Sequence, residues 1–387
     1  MTDYFPYESV SKADRTIIPT EQLSSDEPVG VLEPVAYFNE AMPTGVTVSQ
    51  NGRIFVNFPK WGDEVSYTVA EIRDGKAVAY PDEAMNQTNP NDLAAALVSV
   101  QSVVVDPADR LWILDTGSPM FEPTKYGGPK LVCVDLKMNQ VVKKILFPQN
   151  IALATTYLND VRFDLRRGKE GVAYITDSAQ NGPNGIIVAD LATGESWRRL
   201  NDHPSTKAED LRTFLPIVEG RPFLVKQQEN GFTKLAANMG SDGIAISATG
   251  ELLYYCPLAS RRLYSLSTEA LCNRSVDDHY VMRTVKDEGD KGGASDGLES
   301  DAEGRIYVTN YEHNAIMCRN PNGEWETTVH DSRLLWPDTL SLASDGYLYV
   351  TVNQLHRQAR FHNGRDMRRK PYTLFRIKVN AKPVLLR

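Results

Sequence analysis

The chain has 387 residues, 41% of them hydrophobic, and a formal net charge of −8, enough for two average domains or one large β or α/β domain with a substantial core. Its charges of both signs are intermixed, which argues against nucleic-acid and anionic-membrane partners. No apolar run reaches the roughly 18–20 residues of a spanning helix, and the opening MTDYFPYESV has neither a basic nor an apolar leader region. A cytoplasmic location is therefore the default expectation, and a secreted one if a leader was removed and a new Met added.

Residues 1–30 read as an N-terminal extension, followed by the strand-like PVAYFN. From Pro43 onward the sequence repeats one frame six times: PTGVTVSQNGRIFV, VQSVVVDPADRLWIL, LNDVRFDLRRGKEGVAYIT, SDGIAISATGELLYY, SDGLESDAEGRIYVT and PDTLSLASDGYLYVT. Each copy opens on a short polar residue, in order Thr44, Gln101, Asn159, Asp242, Asp296 and Asp338. Alternating strand residues follow, then a Gly or Asp turn, then an aromatic-rich strand, the signature of a short hairpin. The third copy keeps the frame although its turn has swollen. Behind most hairpins stand two further strand-like runs, such as KLVCVDL and QVVKKILFP, or NAIMCRN and WETTVHD.

Four strands repeated six times predict an all-β, six-bladed β-propeller spanning 31–387. The last copy has one run, TLFRIKV, behind its hairpin, so PVAYFN is expected to complete that blade and close the ring by pairing chain start with chain end. The first strand of every propeller blade lines the central channel, which places the six polar openers in a ring at one mouth. The loops CPLASRR, NYEHN, DSAQNGPN and NQLHRQARFHNGRD emerge at that face. So does an insertion at about 201–238, whose Glu229-Asn230-Gly231 turn suggests a lid-like hairpin. The opposite end is expected to be plain.

Asp242, Asp296 and Asp338, with Asn159 and Gln101, put hard oxygen donors around one axis. Carboxylates that close repel each other unless a proton or a cation lies between them. Oxygen donors suit Ca²⁺, Mg²⁺ or Mn²⁺ better than Zn²⁺, and such an ion activates water while a free carboxylate takes a proton. Asp-Gly and Asn-Asp pairs are equally at home where a loop turns into a strand. The acids five residues into the frame, Asp106, Asp164 and Asp301, read as caps of the inner hairpin. His313, His356 and His362 fall in mouth loops, as does the basic run RQARFHNGRDMRRK; Tyr311, Trp336 and Phe121 are candidate aromatic walls. Cys133, Cys256, Cys272 and Cys318 form no Cys-x-x-Cys pair and read as reduced thiols, with one disulfide left open. The sequons at Asn86 and Asn273 matter only in an exported chain.

The stretches QSVVVDPADRLWILDTG, PKLVCVDL, VAYITDS, SDGIAISATGELLYYCPLASRRLYSL and WPDTLSLASDGYLYVTVNQLH resemble the Yellow/major royal jelly protein family in its microbial branch, from about residue 40 to 380. The resemblance implies a six-bladed propeller with a ligand site at the channel mouth; insect relatives include dopachrome-converting enzymes and binders of small aromatic amines. A more distant likeness is to the regucalcin/gluconolactonase superfamily, where a divalent ion is held by a first-blade Glu, two Asn and an Asp. By that likeness Asn159 and Asp296 match an Asn and the Asp, and Asp242 replaces the second Asn. Asp296 then doubles as the base, while Thr44 stands where the Glu belongs, a departure that puts metal binding in doubt.

Two functions of different class follow. One is a small-molecule enzyme, a metal-assisted lactonase-like hydrolase or an isomerase/tautomerase. In it Asp296 is the acid/base, Asn159, Asp242 and Asp296 hold the ion, and Thr44, Gln101, Asp338, His313 and Tyr311 contact ligand. The other is a non-catalytic binder of small aromatic or amine ligands. A protein-interaction propeller is a third possibility. The expected partner is a small molecule in either of the first two.

Overall fold

The computed structural model describes residues 27–210, 213–225, 234, 235 and 238–387. Six four-stranded sheets are arranged as the blades of a propeller. Blade 1 comprises Val46–Val48, Ile54–Asn57, Val69–Arg73 and Lys76–Ala79. Blade 2 comprises Val100–Val105, Arg110–Asp115, Lys130–Asp135 and Gln140–Leu146. Blade 3 runs through Leu158–Asp164, Val172–Asp177, Gly185–Asp190 and Ser196–Arg199. Blade 4 has Ser241–Ile246, Leu252–Pro257, Arg262–Ser267 and Lys286–Asp290, and blade 5 has Leu298–Ser300, Ile306–Asn310, Ala315–Arg319 and Trp325–His330.

Blade 6 joins Pro337–Leu342, Tyr347–Val352 and Tyr372–Lys378 to the N-terminal strand Glu33–Phe38, as the unpaired last repeat required. The closing strands are antiparallel, with Phe38 opposite Tyr372 and Tyr37 opposite Thr373.

Burial falls from the axis outward, and the sequence pattern follows it. The inner strands Leu158–Asp164 and Val172–Asp177 are buried on both faces and read as continuous runs. The outer strand Gln140–Leu146 alternates exposed and covered residues, as a half-solvated edge does. Between neighbouring blades the apolar faces interleave; Trp112 of blade 2 stacks on Phe163 of blade 3 at 5.3 Å.

Three of the six inner hairpins are closed by a fifth-position acid. Asp106 accepts from the Ala108 and Arg110 amides, the Arg110 guanidinium and the Trp112 indole. Asp301 does the same with Glu303, Arg305 and the Tyr307 hydroxyl, and Asp164 with Arg166. These acids are caps, as their position in the frame suggested.

The end of the molecule opposite the openers is less plain than expected. Blade 4 inserts two short helices there, Thr268–Cys272 and Asp278–Met282. The C-terminal segment also crosses that end, its Lys382 and Leu386 carbonyls accepting from the Ala302 and Leu165 amides. At the mouth, part of the 201–238 insertion forms the small hairpin Ile217–Val218/Arg221–Pro222; the turn at Glu229-Asn230-Gly231 lies outside the described residues. The four cysteines are free thiols, Cys133, Cys256 and Cys318 buried and Cys272 half-buried. Among the described residues no helix is long and apolar enough to cross a membrane.

Candidate functional site

Four of the six openers sit where an inner strand breaks register with its neighbour, between Val100 and Ser102, Leu158 and Val161, Ser241 and Ile244, and Pro337 and Leu340. A bulge turns a side chain away from the regular pleat and bends the strand. The glycine after two of the acids has a separate cause. A Cβ on Gly297 would stand 2.2 Å from the Asp338 carbonyl oxygen, and one on Gly243 would stand 2.5 Å from that of Asp296. Asp-Gly is thus a packing signature: the backbone of the next blade's opener presses against the residue behind each acid. Second-strand threonines hold this contact, Thr176 donating to the Asp242 carbonyl at 2.7 Å and Thr309 accepting the Asp296 and Gly297 amides at 3.0 Å.

The structure brings Asp242, Asp296 and Asp338 into one buried electrostatic unit. Burial, followed by the charges of Asp296 and Asp338, pushes Asp242 far above the usual carboxylate range, and Asp242 shares a side-chain hydrogen bond with Asp296. Burial likewise raises Asp338 strongly, with the Asp296 charge adding to it. Asp296 is pushed up to about 6 by burial, opposed by hydrogen bonds from Trp336 and Asp242. Of the three coupled acids Asp296 is the least raised and so the first to ionise, with Asp242 on the donating side of the bond they share.

Aromatic groups enclose this charge. The Trp336 indole N–H donates to Asp296 Oδ2 at 2.6 Å. Its ring lies between Tyr311, parallel at 4.1 Å, and His356 at 5.8 Å. Trp336 is fully buried and has φ of 63°, a costly backbone state for a bulky residue and one that collects at functional sites. A second aromatic group comes from blades 1 to 3: Trp61 stacks on Phe121, Phe121 meets Tyr157 at 4.8 Å, and the Trp61 indole donates to the Tyr157 hydroxyl. The guanidinium of Arg360 links the two groups, lying 5.4 Å from the Phe121 ring and 4.6 Å from that of Phe361. From the insertion, Phe223 packs on Trp336 and Phe361.

The remaining expected residues divide by place. Gln101 Oε1 accepts from the Tyr157 hydroxyl, and Asn159 Nδ2 donates to Ser178. The Thr44 hydroxyl is held between the Asn57 amide and the Gln101 carbonyl. Tyr311 backs Trp336 and spends its hydroxyl on the Leu258 carbonyl. His313 is exposed, in a rim groove it shares with Glu312 and His330, apart from the carboxylates. Tyr157, Trp61, Arg360 and Phe223 were missed; they lie in irregular segments whose convergence no local pattern announces.

The donor set does not fit a resident divalent cation. Asp296 accepts the Trp336 indole, both Asp338 oxygens are engaged by Asn353 and Thr339, and Thr44 offers a committed hydroxyl where a carboxylate is needed. Among the described residues no group of three or more His, Cys, Asp or Glu is disposed to hold a metal ion. Of the residues expected as its ligands, Asn159 spends its amide N–H on Ser178, while Asp242 and Asp296 relieve their crowding through the hydrogen bond they share.

Fold and mouth together define a six-bladed propeller with one acidic, aromatic-lined end. The family model for major royal jelly protein matches residues 98–383, and the chain belongs to that family. It is 32% identical over 193 residues to major royal jelly protein 7 of Apis mellifera, covering 49% of this chain and 39% of that protein. It is 24% identical over 333 residues to protein yellow of Drosophila erecta, covering 81% and 59%. The chain thus spans well under two thirds of these relatives. Among solved structures it is similar to a calcium-binding protein, regucalcin, from Agrobacterium tumefaciens, with TM-score 0.55, 13% identity and coverage of 93% and 99%. A gluconolactonase from Xanthomonas campestris gives TM-score 0.53, 11% identity and coverage of 90% and 89%. At such identities the likeness is one of fold.

Proposed function

We propose that the channel mouth is a metal-independent binding site for a small, flat organic cation, an aromatic amine. The observation that carries this reading is the buried carboxyl of Asp296, crowded by Asp242 and Asp338 and held by the indole of a Trp336 that is itself stacked on Tyr311. An ammonium group answers an uncompensated buried charge, and aromatic faces favour both cations and flat rings. Arg360, on the far side between Phe121 and Phe361, suits the polar outer end of such a ligand, a phenolic or acidic group. The test is calorimetry at pH 7.5 with a catecholamine and with the equivalent neutral catechol. Saturable amine binding is expected, at least about tenfold weaker for the neutral analogue and in Asp296→Asn, the scale of one charge-assisted contact. Equal affinity for both compounds would sink the proposal.

A second reading is favoured by one feature, an Asp296 whose pKa is raised to about 6 beside an Asp242 raised further still. A base poised near neutral pH next to an acid is the equipment of proton-transfer isomerisation. On this reading Asp296 takes a proton from bound ligand and Asp242 returns one. Its mark is turnover of an isomerisable aromatic substrate whose rate rises with pH through about 6 and disappears in Asp296→Asn. A metal-assisted lactonase step draws no support from the donor set.

A further inference from the structure

Beside the mouth, between the insertion and the loop after blade 6's second strand, lies a separate cavity of about 390 Å³. Its charged lining is Arg221, Arg357 and Arg369 with the single carboxylate Glu219; His356 and His362 complete it. Three arginines against one acid is an inversion of local charge on a chain whose net charge is −8. Among the described residues no hydrogen bond or ion pair engages the side chains of Arg221 or Arg369, and both are exposed.

Glu219 marks the chemistry the cavity accepts. It sits at the tip of a two-residue turn, with φ of 51° followed by Gly220 at 72°, the geometry that points a side chain out from a tight hairpin. Its carboxylate is gripped by Arg357 through Nε at 2.7 Å and through Nη2, and by His356 Nε2 at 2.6 Å. This fork is the geometry with which arginine reads carboxylates and phosphates. His356 is 95% buried and burial lowers its pKa; facing a carboxylate its Nε2 donates, while its Nδ1 is buried and has no hydrogen-bond partner among the described residues.

We propose that this cavity is a binding site for a small dianionic oxyanion, with the Glu219 carboxylate as its internal tenant. The incoming anion takes the Arg357 fork, and Arg221 and Arg369 supply the charge that one carboxylate leaves unanswered. The site shares the walls His356, Phe223 and Phe361 with the Asp296 mouth but differs from it in charged residues and in sign, and an anion site here does not depend on the amine reading.

The experiment is calorimetry of the full chain with inorganic phosphate and with succinate, at ionic strength held constant by chloride. Saturable binding is expected, several-fold tighter in Glu219→Gln, where the tenant has lost its charge, than in the unaltered chain. It is expected to weaken at least tenfold in an Arg221→Gln/Arg369→Gln double variant, whose exposed positions leave folding intact. Absence of saturable heat in both the unaltered chain and Glu219→Gln overturns the proposal. So does an unchanged affinity in the double variant.

Discussion

Aspartates stand at both ends of the inner strands, in blade 5 at both ends of one segment, and the two sets live in opposite electrostatic worlds. Asp301, at the hairpin end, has its carboxylate met by two amides, a guanidinium and a tyrosine hydroxyl. Asp296 begins the same segment five residues earlier and is also buried, yet it faces two further aspartates and an indole. Burial is common to both; the supply of donors differs. A buried acid surrounded by donors closes a turn, whereas one surrounded by acids raises its own pKa and those of its neighbours, which leaves it in want of a proton or a cationic ligand.

The largest effect that tests this contrast is on stability. Asp301→Ala leaves a guanidinium, a hydroxyl and two amides without their acceptor, and should cost about 3–5 kcal/mol, the scale for breaking a buried ion pair from one side. Asp296→Asn should cost far less in the ligand-free chain, because it removes repulsion along with its hydrogen bonds. Urea unfolding of the two variants compares them directly; similar losses would break the distinction. Next in size is Gly297→Ala, whose added methyl meets the Asp338 carbonyl oxygen. We expect a loss of about 1–3 kcal/mol from overpacking, together with weaker amine binding, since the blade contact that sets Asp296 against Asp338 must open. A stable variant with unaltered binding would show that this contact does not position the ring.

The hairpin end was readable in the sequence and the mouth only in part, for a physical reason. Asp106, Asp164 and Asp301 act on residues two to six positions away, so the turn is written locally. The blades were legible because each repeat restates a strand pattern, and the ring closure because one blade lacked a strand. The convergence of Asp242, Asp296 and Asp338 followed from that topology. What topology does not carry is which side chains occupy the space between them. The bond from Trp336 to Asp296 spans 40 residues, and that from Trp61 to Tyr157 spans 96. Each depends on an irregular backbone such as the left-handed turn at Trp336. A divalent ion was a fair expectation from three acids on one axis; a shared proton and an indole N–H answer the same repulsion.

A smaller effect separates the two sets through pH. Asp296 has its pKa raised from 3.8 to about 6 in the folded chain. The folded state then binds more protons than the unfolded one across that window, so this group's contribution falls as pH rises from about 4 to about 6 and levels off above. The drop should amount to roughly 1–3 kcal/mol, at about 1.4 kcal/mol for each unit. Because other carboxylates titrate in the same range, the quantity to measure is the difference between the unaltered chain and Asp296→Asn at each pH. If that difference is flat between pH 4 and 6, the Asp296 charge is not held against burial and the contrast with Asp301 loses its basis.

The smallest expected effect is the one for a chelator, and its smallness is informative. If the crowding of Asp242, Asp296 and Asp338 were relieved by a bound ion, removing that ion would restore the full repulsion. An ion present at a hundred times its dissociation constant contributes about 2.7 kcal/mol to the folded state, and EDTA would take that away as a clear fall in Tm. With Asp242 sharing a hydrogen bond with Asp296, and Asp338 tied to Asn353 and Thr339, the ring is left to offer a single charge, which suits a monovalent ammonium group and falls short of a divalent ion. EDTA should leave Tm within about 1 °C, and millimolar Ca²⁺ or Mn²⁺ should not raise it at pH 7, where a cation competes with the proton that burial and neighbouring charges favour on Asp242. At pH 9 that opposition weakens. A Ca²⁺-induced rise in Tm at pH 9 that is absent at pH 7 and abolished by Asp242→Asn would show proton and metal competing for one place. A rise already present at pH 7 would mean that the carboxylates are held by a metal after all.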